Sequence, residues 1–185
     1  MQKWVRAKFQ PAIGLGENGQ RVTGCKEHIA LSRRAATEGM VLLKNESDVL
    51  PLAAGQKVAL FGKGCVDYVK GGGGSGDVTV AYVCNLYEGL CEYEKEGKVQ
   101  VFHELADFYK KEIEKQYGEG AEPGMTVEPE VPQDLLAQAK AFSDTAIVSI
   151  CRYSGEDWDR KLTKIEAGDC LLSSQHFSNL SLQQH

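Results

Sequence analysis

Apolar residues fall in short runs divided by polar or glycine-rich joints, and the runs alternate between a helical and an extended period. From Cys25 to Thr37, Ile29, Ala30, Ala35 and Ala36 stand among Lys26, Glu27, Arg33 and Arg34, which predicts an amphipathic helix closed by Gly39. Met40–Leu43 is expected as a short apolar strand, Lys44–Asp48 as a polar turn, and Val49–Leu52 as an extended piece kept out of helix by Pro51. Lys57–Gly62 is a continuous apolar run bounded by glycines, the pattern of a strand buried on both faces. A glycine-rich loop spans Lys63–Asp77, Val78–Val83 is β-rich, and a helix starts at Leu86 and runs out near Gly97. Val99–Phe102 reads as a short strand, and Leu105–Tyr117 carries apolar residues at 105, 108, 109 and 113 in helical spacing. After the loop Gly118–Pro132, a helix begins at Pro132 with Asp134 in its first turn and Leu135, Leu136, Ala139 and Phe142 on one face. Ser143-Asp144 then leads into Thr145–Ile150, the most apolar strand-like segment of the chain.

Helix, loop and strand alternating around near-continuous apolar strands predict an α/β fold, a mostly parallel open sheet with helices on both faces. The strands are few, and the last strong one lies close to the chain end. The sheet is therefore expected to be incomplete, with its open edge covered by something else. Residues 1–24 hold four glycines and a proline and read as an irregular arm, while 171–185 contain no Lys, Arg, Asp or Glu and form an atypical tail.

Composition narrows the classes. With 185 residues, 42% hydrophobic and 25% charged, the chain has the make-up of a globular domain. A net charge of -5 supplies no broad basic field, so neither nucleic acid nor an anionic membrane is expected as a partner. No window approaches the roughly 20 apolar residues of a membrane-spanning helix, and the first ten residues carry no signal-peptide core. The six cysteines, at 25, 65, 84, 91, 151 and 170, form no C-x-x-C pair; free thiols fit better than metal ligands or disulfides, which points to the cytoplasm. The histidines at 28, 103, 176 and 185 share no spacing with acidic residues that makes a metal set, so no metal and no cofactor is expected.

Two segments are candidates for chemistry. The loop from Gly62 to Asp77 has glycine at 62, 64, 71, 72, 73, 74 and 76, a density that signals tight turning or close backbone approach to a ligand. It matches neither G-x-x-x-x-G-K-[ST] nor G-x-G-x-x-G, so a backbone-lined ligand rim with Ser75 as hydroxyl donor and acceptor is favoured over a nucleotide site or a plain flexible loop. The second is Cys151–Arg160, directly after the strand Thr145–Ile150, which puts Glu156 where open α/β folds place their chemistry. Taken alone, Ser154-Gly155-Glu156 also reads as an ordinary surface turn. Asp157 and Asp159 would raise the pKa of Glu156 while Arg152 and Arg160 would lower it, and the sequence leaves the balance open. Trp158 reads as a packing residue or an apolar wall, and Glu104 with Asp107 as a solvated helix face.

In order, Ala35-Ala36-x-x-Gly39-Met40-Val41-Leu42-Leu43-Lys44-Asn45, Leu50-Pro51-Leu52, Lys57–Gly62, Gly72-Gly73-Gly74-Ser75-Gly76 and Ser154-Gly155-Glu156-x-x-Asp159-Arg160 resemble the α/β sandwich domain of glycoside hydrolase family 3. The resemblance covers about residues 24 to 170. It implies a partial, flavodoxin-like α/β sandwich over 25–170, and a β-glucosidase-like activity in which Glu156 is the general acid/base and Ser75 contacts the sugar. It also implies a separate barrel domain carrying an aspartate nucleophile, which this sequence lacks. Asp157 stands where the family usually has Gly, a change that stiffens the turn aiming Glu156.

The expectation is therefore part of a retaining β-glycosidase acting on a β-glucoside or related oligosaccharide, inactive alone, with the barrel or another protein chain as partner and a homo-oligomer as one way to cover the sheet edge. The alternative is a non-catalytic remnant or accessory module that binds a sugar or a protein partner.

Overall fold

The computed structural model describes residues 17–19, 24–70, 80 and 82–151. It divides into two compact units, Met1–Val49 and Leu50–His185.

In the first unit, helix α1 (Lys26–Glu38) follows Cys25 and ends at Gly39, whose amide donates to the Ala35 carbonyl at 2.9 Å. Arg34 and Glu38, one turn apart, form an ion pair at 2.9 Å. The amphipathic expectation is met only in form, because no α1 side chain is buried. The strand expected over Met40–Leu43 is not formed. A strand needs a partner for its amides, and the described part of this unit offers none; Leu43 is 92% exposed.

The second unit is built on strand β1 (Gln56–Phe61), followed by a 3-10 turn at Lys63–Cys65. Helix α2 (Leu86–Lys95), strand β2 (Val99–Val101), helix α3 (His103–Gly118), helix α4 (Gln133–Phe142) and strand β3 (Ala146–Val148) complete the described elements. The three strands form one parallel sheet in the order β2-β1-β3, as the α/β reading required. The register is staggered. Gln56, Lys57 and Val58 pair with Val99, Gln100 and Val101, whereas Ala59, Leu60 and Phe61 pair with Ala146, Ile147 and Val148. One peptide group joins the two neighbours: the Val58 carbonyl accepts from Phe102 N–H, and the Ala59 amide donates to Thr145, both at 3.0 Å.

Capping and packing explain the boundaries. Asn85 heads α2 with a reciprocal box, its Oδ1 accepting from Glu88 N–H at 2.8 Å while Glu88 Oε2 accepts from Asn85 N–H at 3.0 Å. Pro132 is the cap residue of α4, which begins at Gln133, one position after the expected start. Leu105, Tyr109 and Ala139 close over Val58 and Leu60 of β1 and Val99 and Val101 of β2 as the core, with Phe102 against the Phe142 ring at 5.3 Å. At the start of β3, Ser143 Oγ donates to the Lys57 carbonyl at 2.6 Å and accepts from Thr145 N–H at 2.9 Å.

A second strand departs from expectation. Thr145–Ile150 reads as buried, yet β3 spans only Ala146–Val148 and is half exposed, with Val148 at 48% and Ile150 at 57%. β3 pairs with β1 alone, and no described strand lies on its far side.

Candidate functional site

The carboxyl ends of β1 and β3 meet at one corner of the sheet. Ser149 N–H donates to the Phe61 carbonyl at 2.8 Å, extending the ladder one step past β3. Gly62 then turns with φ of 90°, and a Cβ there would run into the Ser149 carbonyl oxygen. A Cβ on Gly64 would stand 2.9 Å from both Cys151 Cβ and Ser149 Oγ. Gly62-Lys63-Gly64 is thus glycine-rich because two backbones touch there.

Beneath this contact lies a polar brace. Lys63 is buried, and its ammonium donates to Thr126 Oγ1 at 2.7 Å and lies 3.8 Å from Asp67 Oδ2. The Thr126 hydroxyl donates to Asp67 Oδ2 (2.6 Å), and Tyr117 donates to Asp67 Oδ1 (2.7 Å). The Lys63 amide is held by both oxygens of Glu128 at 3.0 Å, and the Gly62 amide donates to the Tyr109 hydroxyl at 2.9 Å. Burial raises the Glu128 carboxyl above its usual range, against the opposing Lys63 amide and ammonium. Burial likewise pushes Cys65 up to about 12 and raises Tyr109 and Tyr117, so all three stay protonated at neutral pH. No described buried side-chain polar atom lacks a partner. A network satisfied this fully fixes the loop geometry.

Glu156 and Ser75 both lie outside the described residues, as do Arg152, Asp157, Trp158, Asp159 and Arg160. The described chain does define the mounts of their segments. Cys151, against Gly64, is the last described residue before Glu156, and the two flanks of the glycine-rich segment are tied by Asn85 Nδ2 donating to the Val66 carbonyl at 3.1 Å.

Sequence reasoning passed over the brace, although a lysine directly after a buried apolar run is a signal that it must find partners. It also passed over a second cluster. Cys91, Glu94 and His103 each offer a ligand atom within 4.8 Å of the others, so the histidine that showed no metal spacing is brought to two candidate ligands by the path from α2 through β2 into α3.

Comparison with known proteins fits this geometry. The profile of the Glycosyl hydrolase family 3 C-terminal domain matches residues 40–178. The chain belongs to glycosyl hydrolase family 3. Beta-glucosidase A of Butyrivibrio fibrisolvens is 54% identical over 166 residues, covering 90% of this chain and 20% of that protein. A beta-glucosidase of Ruminococcus albus is 36% identical over 150 residues, 80% of this chain and 15% of the other. Among solved structures, beta-glucosidase 3B of Thermotoga neapolitana in complex with alpha-D-glucose superimposes with a TM-score of 0.60 at 35% identity, over 75% of this chain and 19% of that one. A beta-glucosidase of Paenibacillus barengoltzii gives 0.62 at 41% identity, over 73% and 15%. The chain thus spans about a fifth or less of the length of each of these relatives. No helix among the described residues is long and apolar enough to cross a membrane.

Proposed function

We propose that this chain supplies the acid/base half of a retaining β-glycosidase site that hydrolyses terminal β-D-glycosidic bonds, with Glu156 as the general acid/base and Ser75 on the sugar-binding rim. The observation that carries the reading is the Ser149 to Phe61 hydrogen bond, which sets the segment leading to Glu156 beside the glycine turn leading to Ser75. The beta-glucosidase relatives support the substrate class.

The chemistry needs two carboxylates roughly 5 Å apart. One attacks the anomeric carbon while the other, Glu156, gives its proton to the leaving oxygen and afterwards takes one from water. The nucleophile belongs to residues outside these 185, in a barrel domain or another chain. Glu156 must be protonated when substrate arrives, so Asp157, Asp159 and burial have to outweigh Arg152 and Arg160. The five described cysteines are all free, which supports a reducing cytoplasm as the compartment.

The test has two arms. The 185-residue chain alone should not turn over an aryl β-glucoside; turnover at a rate typical of a complete family enzyme would refute the divided site. Residues 40–178 grafted in place of the matching part of the Butyrivibrio enzyme should retain activity. There Glu156→Ala should cost about 10²- to 10⁴-fold on poor leaving groups, far less on good ones, and be rescued by azide. Equal losses on both leaving groups without rescue would remove Glu156 from the acid/base role.

A further inference from the structure

We propose that Cys91, Glu94 and His103 form a zinc site that clamps the end of α2 to the start of α3, a binding function separate from glycoside hydrolysis.

Cys91 and Glu94 stand three residues apart on α2 and so face the same way, while His103 is the first residue of α3. Their ligand atoms lie within 4.8 Å of one another. A tetrahedral zinc ion with bonds of about 2.0 to 2.3 Å places its ligand atoms roughly 3.5 Å apart, a closure within reach of side-chain rotation. Thiolate, imidazole and carboxylate form a donor set that suits zinc over calcium or magnesium.

The surroundings orient each ligand. Glu94 Oε1 is held by Val101 N–H at 2.8 Å, which leaves Oε2 facing His103 Nε2 at 2.9 Å. On the far side of the imidazole, Nδ1 lies 3.0 Å from the Tyr87 hydroxyl, the outer contact that in metal sites fixes the ring and frees the other nitrogen. The nearby lysines are engaged elsewhere: Lys95 pairs with Glu92 and Lys98 with Glu96, each at 2.6 Å, and Lys110 lies over the Tyr87 ring at 4.2 Å. Side-chain exposures of 45% for His103 and 28% for Glu94 give an ion and a fourth, water ligand access from solvent. On binding, zinc displaces the Cys91 thiol proton to solvent, and the neutral imidazole holds its one proton on Nδ1, directed at the Tyr87 hydroxyl, so that Nε2 is free to bind; no redox change occurs.

The whole reduced chain is titrated with cobalt(II), then zinc(II). One equivalent of cobalt should give tetrahedral d–d bands and a thiolate-to-cobalt charge-transfer band, both abolished by zinc. Cys91→Ser should remove the charge-transfer band and Cys84→Ser should keep it, while Tyr87→Phe should weaken binding about tenfold. No band, or a band that survives in Cys91→Ser, overturns the site. Should Cys91→Ser fail to fold, X-ray absorption on the zinc-loaded wild-type chain decides: one sulfur ligand is expected, and none or several overturns the proposal.

Discussion

Ser149 gives its amide to the carbonyl of Phe61 at 2.8 Å, and the next residue on the β1 side, Gly62, turns away with φ of 90°. The two strands therefore leave the sheet in van der Waals contact, backbone on backbone, and the space between them is smaller than a methyl group.

Gly62→Ala meets both obstacles at once, a left-handed backbone and a collision with the Ser149 carbonyl oxygen. Strain and overpacking of this kind cost about 2 to 4 kcal/mol together. Urea denaturation should show a lowered midpoint with little change in slope. A loss under about 0.5 kcal/mol, the scale of an ordinary surface change, would mean that the contact is not made.

Glu128 gives a pH signature of known sign. Burial raises its folded-state pKa above the ordinary value of 4.5, so in the window between those two values the folded protein binds more protons than the unfolded chain. Its contribution is full below the unfolded value and is lost as pH rises through the folded one. Glu128→Gln still accepts from the Lys63 amide but carries no charge, so it should gain stability relative to wild type as pH is raised from about 4 to 7. Denaturation curves for the pair across that range provide the check; a constant or shrinking difference contradicts it.

Asn85 serves two partners, the Glu88 amide and the Val66 carbonyl. Asn85→Ala should cost about 1 to 2 kcal/mol, at the upper end for a lost cap because a loop tie goes with it. Asn85→Asp keeps the cap and loses the tie, so it should fall between alanine and wild type. If aspartate were as damaging as alanine, the cap would be irrelevant.

The half-exposed edge at β3 should make the isolated chain self-associate or bind another strand. Val148→Lys puts a charge on that edge and should shift sedimentation towards the monomer at micromolar concentration. A wild-type chain that stays monomeric at all accessible concentrations would show that this edge needs no partner.

How much of this was legible beforehand depended on range. Helix α3 and strand β2 follow from local apolar spacing around Leu105, Tyr109 and Val99, and the structure keeps both within a residue or two. Met40–Leu43 has equally strong local apolar character and forms no strand, because a ladder needs a neighbour that no local pattern supplies. β3 was foreseen as a strand beside an open sheet edge but was read as buried, since burial depends on what lies beside it. The Lys63 brace joins residues up to 65 positions apart, from Lys63 to Glu128, and periodicity does not register pairings at that distance. Gly62 and Gly64 were visible as unusual, but their cause, the backbone of 149–151, was not. Glu156 and Ser75 were proposed from ordered motifs, a signal independent of packing, and both lie outside the described residues.

The single peptide group shared by Val58 and Ala59 carries the tie between β2 and β3, since those strands touch opposite halves of β1 and never each other. Opening either flank by itself leaves the other hydrogen-bonded, so the halves of the sheet can fray separately, but the Ala59 amide is freed only when β3 departs and its carbonyl partner, Val58, only when β2 does. Amide hydrogen exchange should accordingly resolve two sub-global openings, one reported by Phe102 and one by Ala59 and Ser149.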